Sequence, residues 1–406
     1  MSLKIAIIGG GAAGFFAAIT AKETHPDASV IIYEKSAQLL AKVKISGGGR
    51  CNVTNACASI GELVAAYPRG GKSLKKVFHQ FSNLDAMKWF EARGVPLVID
   101  SENCVFPQSQ SSQTIIDCFL SESKRLGIEI QTSHGIRSMR YLDQQWELEL
   151  YERAENPPRF DKVIIATGGS PKRTGLDWLE KLGHQIEEPV PSLFTFNLPQ
   201  TEITRLQGVV VENALVSLVG TKLKSDGPLL ITHWGFSGPV ILKLSAFGAR
   251  ILSDLNYQCP VQVNWIHETN QTVVLDELMK ISRESANKNL SNVRPFRLPE
   301  RLWLFLLEKC DLPTSKKWSE IGKKSLNKLV NLLTNDIYTL DGKTTFKEEF
   351  VTCGGVSLKS IDLETMKSKV CENLYFAGEI LDIDGITGGY NFQAAWTTGF
   401  VAGQLG

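Results

Sequence analysis

Lys4-Ile5-Ala6-Ile7-Ile8-Gly9-Gly10-Gly11-Ala12-Ala13-Gly14 is the stretch on which the fold turns. A short apolar run reads as a strand, Gly9, Gly11 and Gly14 stand at G-x-G-x-x-G spacing, and Phe15 to Glu23 has helical composition. Val30 to Glu34 reads as the next strand, and Glu34 follows Gly14 by 20 residues. Each residue type has a task in holding a dinucleotide. Gly9 permits a tight turn, Gly11 lets a pyrophosphate approach the backbone, and Gly14 lets helix and strand pack closely. The helix N-terminus at Ala12 and Ala13 holds the phosphates, and Glu34, with Lys35 beside it, sits where ribose hydroxyls are read.

Three further stretches point to the same ligand. Ser46-Gly47-Gly48-Gly49-Arg50-Cys51-Asn52 has three consecutive glycines, which admit a flat ligand or a phosphate to the backbone, and Arg50, with Lys42 upstream, offers an anion partner. Val163-Ile164-Ile165 is a buried-type strand running into the small-residue turn Ala166-Thr167-Gly168. Near the end, Phe376-Ala377-Gly378-Glu379 leads through Asp382 to Gly388-Gly389-Tyr390-Asn391-Phe392-Gln393, a glycine turn opening a helix. Such a helix N-terminus suits the N1–C2=O edge of a reduced isoalloxazine, with Tyr390, Asn391 and Gln393 as cofactor contacts. Together the four stretches read as one FAD site. No His or Cys stands in a pattern demanding a covalent link, so FAD is expected to be non-covalent. No second G-x-G-x-x-G with a following acid exists. The flavin is therefore reduced by its substrate, or by NAD(P)H visiting as a transient reductant.

These residues, with Phe106-Pro107, Gly183-His184 and Thr232-His233-x-Gly235-x-Ser237-Gly238-Pro239, resemble the BaiN/YhiN-type flavoproteins, also called the aminoacetone oxidase family of FAD-binding enzymes. The resemblance covers nearly the whole chain. It implies an α/β fold: a Rossmann-like two-dinucleotide-binding-type FAD domain with an inserted β-barrel-like domain and an inserted helical domain. On this sequence that gives 1–192 and 345–406 for FAD binding, 193–269 and about 336–344 for the β-rich insertion, and 270–335 for the helical one. Texture agrees. Val209–Leu223 and Leu229–Leu244 read as β, whereas Val273–Ser285, Leu298–Lys309 and Leu326–Leu333 read as helices. Two departures stand out. Leu40-Ala41-Lys42 replaces the family's usual Gly-Arg-Lys, and Asn103-Cys104 replaces Gly-Arg before Val-Phe-Pro, so two expected arginines are missing.

Composition bounds the rest. The chain has 406 residues, 43% apolar and 21% charged, with a net charge of +1, which excludes global disorder. Its eight cysteines are scattered with no C-x-x-C, against a thiolate metal site and for reduced thiols in the cytoplasm. No apolar run reaches ~18 residues, so no membrane helix is expected. The uncharged run Ile5–Ile19 lacks a signal peptide's cleavage site and is broken by glycines. Charge is uneven: Lys35 to Lys76 holds eight bases against one acid, and Arg69, Lys72, Lys75 and Lys76 cluster ahead of a helix. FAD needs no such excess, and a groove for phosphates of ribosomal RNA would use it.

The reading is an FAD-dependent oxidoreductase passing hydride through flavin N5. His233, Cys51 and Cys353 are the candidate proton donors, with Arg50 expected to lower the Cys51 pKa. Family resemblance implies three chemistries: reduction of a uracil in ribosomal RNA to dihydrouridine, oxidation of small amines such as aminoacetone, and reduction of a conjugated enone. The basic run favours RNA. A rival of another class is a flavin-holding redox sensor without turnover.

Overall fold

The computed structural model describes residues 2–151, 156–344 and 351–406. It divides into two compact units, Met1–Ser192 with Lys347–Gly406, and Leu193–Phe346.

The first unit is built on a seven-stranded sheet. β1 (Lys4–Ile8) is the middle one of its five parallel strands, flanked by β2 (Ser29–Tyr33) and by the strand Lys162–Ile165. Glu129–Gln131 extends the β2 side and Leu374–Phe376 the other, all parallel, before two short antiparallel strands finish that edge. The parallel strands are apolar on both faces because helices cover both. Ile5, Ile7, Val163, Ile164, Ile165 and Phe376 are fully buried. Helix α1 (Ala12–Thr24) packs against the C-terminal helix Tyr390–Gly403, and small residues set that approach: a Cβ at Gly399 would lie 2.8 Å from Ala13 O, and one at Gly403 2.6 Å from Ala17 O.

Local chemistry places the other helices. Ser82 caps Asn83–Glu91 in a reciprocal box with Asp85, and Gly127, in the left-handed region at φ +67°, ends Ser112–Leu126.

The second unit is a seven-stranded antiparallel sheet. Its first and last strands, Asp336–Asp341 and Lys343–Thr344, are neighbours in the chain across Gly342, so the sheet curls back on itself as a barrel does. The helices Gln271–Glu284, Glu300–Lys309 and Lys323–Thr334 share one apolar core with this sheet, through Val274, Leu278, Trp303, Leu306, Leu329 and Leu333.

One element departs from its expectation. Of Leu229–Leu244 only the first part is strand, to Ile231 and again at Gly235–Ser237, while Pro239–Phe247 is a helix. Pro239 sits in the first turn of that helix, where its missing N–H costs nothing and its fixed φ suits helix initiation. A short fully apolar run such as Val240–Leu242 does not reveal its period. No helix among the described residues is long and apolar enough to cross a membrane.

Candidate cofactor site

Three of the four glycine-bearing stretches, together with Glu34, leave one edge of the parallel sheet together, while Ser46–Asn52 follows the helix Ala41–Gly49. Register shows why: Ile8 pairs with both Tyr33 and Ile165, and Ile165 pairs with Phe376, so the strands end level. Gly9, Glu34, Ala166 and Ala377 therefore start their turns side by side, at the carboxyl edge where open α/β sheets bind ligands.

Close approach and open space are both visible there. A Cβ on Gly14 would lie 1.9 Å from Gly9 O, and one on Gly9 2.3 Å from Ala166 O, so these glycines are required by the protein's own packing. A Cβ on Gly11, Gly48, Gly49 or Gly168 would meet nothing within 4 Å. Glu34 turns its carboxylate to the same turn, accepting from Gly10 N (2.8 Å), from Ser36 N (2.8 Å) and from Ser36 Oγ (2.9 Å). Lys35 is exposed beside it.

Helix α2 (Ala41–Gly49) leaves helical geometry at Ser46 (ψ 151°), and Gly47, Gly48 and Gly49 are left-handed at φ 56°, 67° and 83°. Lys42, on its first turn, donates to Glu379 at 2.6 Å, and Glu379 also accepts from Thr352 N at 2.9 Å. Thr352 Oγ1 lies beside this carboxylate, buried and with no hydrogen-bond partner among the described residues.

The C-terminal helix overhangs α1. Ala13 faces Gly399 and Ala17 faces Gly403, so the helices run parallel with Tyr390 nine residues ahead of that contact. At 1.5 Å per residue its N-terminus projects roughly 12 Å beyond the start of α1. Asn52 ties the glycine block to that projecting end: with its amide assigned by its neighbours, Oδ1 accepts from Gly389 N at 3.2 Å and Nδ2 donates to Thr54 O at 2.9 Å. Asn391 shapes the loop before it, accepting from Gly385 N (2.8 Å) and donating to Gly385 O (2.9 Å). Gln393 is fully buried, between Thr54 Oγ1 (2.6 Å) and Thr397 Oγ1 (2.9 Å), so its amide anchors the helix instead of facing a ligand. Tyr390 is half-buried, and burial first of all pushes its hydroxyl up to about 12. Asp382 begins the loop, its N–H donating to Val356 O.

The donor set fits FAD: a helix N-terminus and open glycines for the phosphates, Glu34 for a ribose, Thr352 Oγ1 and Glu379 for hydroxyls, and a second helix N-terminus well ahead of the first. Ser36 and Thr352 escaped the sequence reading. Ser36 is a hydroxyl two residues after the acid, a pattern visible in sequence, whereas Thr352 meets Glu379 only through strand pairing.

The reactive candidates are placed differently from one another. Cys51 is fully buried at φ 61°, and burial pushes its thiol up to about 12, against a smaller pull from Ser46. That corrects the expected lowering by Arg50, whose guanidinium instead lies over the Phe106 ring at 4.2 Å. Cys353 is fully buried in the strand Val351–Val356. His233 is exposed in the second unit, its ring edge-on to Trp234. Arg69 is corrected too: it is drawn into the protein by Asp384 and leaves the basic surface to Lys72, Lys75 and Lys76, all exposed.

Fold and site define an FAD-dependent oxidoreductase. The chain belongs to the HI0933-like family, whose Rossmann-domain description matches residues 3–405. It is 26% identical to a 3-dehydro-bile acid delta(4,6)-reductase of Clostridium scindens, over 99% of this chain and 98% of that protein. It is also 26% identical to a ribosomal RNA dihydrouridine synthase of Haemophilus influenzae, over 97% and 96%. Among solved structures, a 3-ketosteroid delta1-dehydrogenase from Sterolibacterium denitrificans shares the fold at a TM-score of 0.52 and 10% identity, covering 98% of each chain.

Proposed function

We propose that this protein uses non-covalently bound FAD to reduce a carbon–carbon double bond conjugated to a carbonyl, and that its substrate is a uracil of ribosomal RNA, reduced to dihydrouridine. The observation that carries the flavin reading is the level ending of the strands, which brings Gly9–Gly14, Glu34, Ala166–Gly168 and Gly378–Glu379 to one edge. Bound there, FAD supplies hydride transfer through its N5, with NAD(P)H as its transient reductant. The α1 N-terminus would hold the pyrophosphate, Glu34 the adenosine ribose, and Thr352 and Glu379 the polyol chain. The projecting helix from Tyr390 would stabilise negative charge at the pyrimidine edge of the ring.

The names of two full-length relatives support the substrate class. A uracil C5=C6 bond and the double bond next to a steroid 3-ketone are both conjugated to a carbonyl, so one chemistry serves both. RNA is favoured over the steroid-like enone by the exposed Lys72, Lys75 and Lys76. Reduction also needs a proton at the second carbon. With Cys51 and Cys353 buried, the exposed His233 remains the candidate donor. Eight cysteines without a disulfide support a cytoplasmic setting.

The test is anaerobic. Protein bleached with NADPH should be reoxidised by a uridine-containing ribosomal RNA fragment, with dihydrouridine found by nucleoside mass spectrometry. Reoxidation by a steroid-like enone and not by RNA moves the assignment to the enone. Reoxidation by neither sinks the reading.

A further inference from the structure

We infer that Arg50 is a preformed receptor for an oxyanion of the substrate. The inference rests on the conjugated-double-bond reading above and adds to it what anchors the substrate beside the reacting ring.

Among the described residues, Arg50 has no carboxylate partner. Its guanidinium lies over the Phe106 ring at 4.2 Å, and its Nε donates to Gly47 O at 3.1 Å. Aromatic face and carbonyl together fix the plane of the fork, and Phe106 is itself buried in the strand Cys104–Pro107. The two terminal NH2 groups have no partner among the described residues, and the side chain is exposed. A bidentate donor pair is thus presented in a set plane with its charge uncancelled, the geometry that matches a carboxylate or phosphate.

Position separates Arg50 from the cofactor's own phosphates. The pyrophosphate cradle is the start of α1. Arg50 stands two residues from Asn52, which binds Gly389 N at the far, projecting end of the C-terminal helix. That end is roughly 12 Å further along. There the ring of a bound flavin, and whatever lies against it, would be the ligand. Next to the fork, a Cβ on Gly48 or Gly49 would meet nothing within 4 Å. An uncharged ring to be reduced, carrying an oxyanion at its margin, fits this arrangement. A phosphodiester of RNA and the carboxylate of a steroid acid share that chemistry.

The experiment measures binding to FAD-loaded protein by calorimetry, with two ligand pairs that differ only in the oxyanion: uridine 5′-monophosphate against uridine, and a steroidal enone carboxylic acid against its methyl ester. The charged member of one pair should bind more tightly, which names the source. R50Q should cut that preference by about tenfold, the usual weight of a charge-assisted fork. R50K should keep part of it. F106L, which removes the platform and leaves the charge, should fall between. Equal affinity for charged and neutral members in the unaltered protein overturns the inference, as does an unchanged preference in R50Q. So does R50Q emerging without FAD, because Arg50 then serves the cofactor. These measurements need no turnover. A protein that reduces neither ring type defeats the proposed function and leaves the oxyanion result to stand or fall alone.

Discussion

Arg69 and Asp384, 315 residues apart, form a two-pronged ion pair inside the first unit. Nε meets Oδ1 at 2.5 Å, Nη2 meets Oδ2, and Ser192 Oγ donates to Oδ2 at 2.8 Å. Asp384 is fully buried, and the Arg69 side chain is 13% exposed. The pair pins the turn at Gly70 to the loop that leads into Gly388-Gly389, so a residue that reads as surface charge in sequence is part of the site's scaffold. Burial pushes the Asp384 carboxyl above the ordinary range, against the opposing pull of Arg69 and Ser192.

D384A leaves a buried guanidinium without its carboxylate and should lower unfolding stability by about 3–5 kcal/mol in denaturant titrations. An R69M/D384L double variant removes both charges and should regain most of that loss. Equal destabilisation in the single and double variants would mean that side-chain volume, not charge, is what matters here.

Two glycines of one motif should behave oppositely. In G14A the new methyl collides with Gly9 O at 1.9 Å, backbone against backbone, so even the apoprotein should lose stability. In G11A the methyl points into open space, so the apoprotein's Tm should stay within a degree or two, while FAD affinity falls because the cofactor needs that space. Calorimetry of apoprotein and fluorescence titration with FAD separate the cases. A G11A variant that binds FAD normally would remove the phosphate cradle from this turn.

The FAD turns were legible because each uses glycine for a reason local to the chain. Gly9, Gly11 and Gly14 sit at fixed spacing, and the acid at Glu34 closes the unit. Partners fixed by distant pairing were not. Nothing near position 69 announces Asp384, and Thr352 meets Glu379 only because Val351–Val356 pairs with Ile186–Ser192. Arg50 was legible as an anion partner but not as an arginine held by Phe106. Leu229–Leu244 reads as β throughout, although the helix starts at Pro239, because an apolar run without period leaves helix and strand undecided.

Cys51 should be inert in the folded protein. Its thiol lies at about 12 against an ordinary 9.0, raised by burial, so at pH 8 essentially none is thiolate. A raised thiol favours the neutral form in the folded state. Its contribution to stability is complete below about pH 9 and is lost as pH rises from there towards 12. Iodoacetamide at pH 8, read by peptide mass spectrometry, should leave Cys51 unlabelled until denaturant is added. Rapid labelling of the native protein would restore it as a proton donor near the site.

The basic surface gives the last prediction, and the structure changes its size. With Arg69 bound to Asp384, three bases remain on the helix Gly71–Phe78: Lys72, Lys75 and Lys76. Lys76 lies 3.9 Å from Glu364, but both side chains are more than 70% exposed, so that pair is weak and yields to a phosphate. Each phosphate neutralised contributes ~0.7–0.9 to the slope of log K against log salt. A K72A/K75A/K76A variant should therefore flatten the slope for ribosomal RNA fragments by about two units. R69M should leave the slope unchanged, because its charge already has a partner inside the protein. Filter binding from 50 to 200 mM salt measures both. A slope that R69M reduces as much as a lysine would put Arg69 back on the RNA. Absence of any RNA affinity at low salt in the unaltered protein would end the nucleic-acid reading and leave the small conjugated enone as the substrate to pursue.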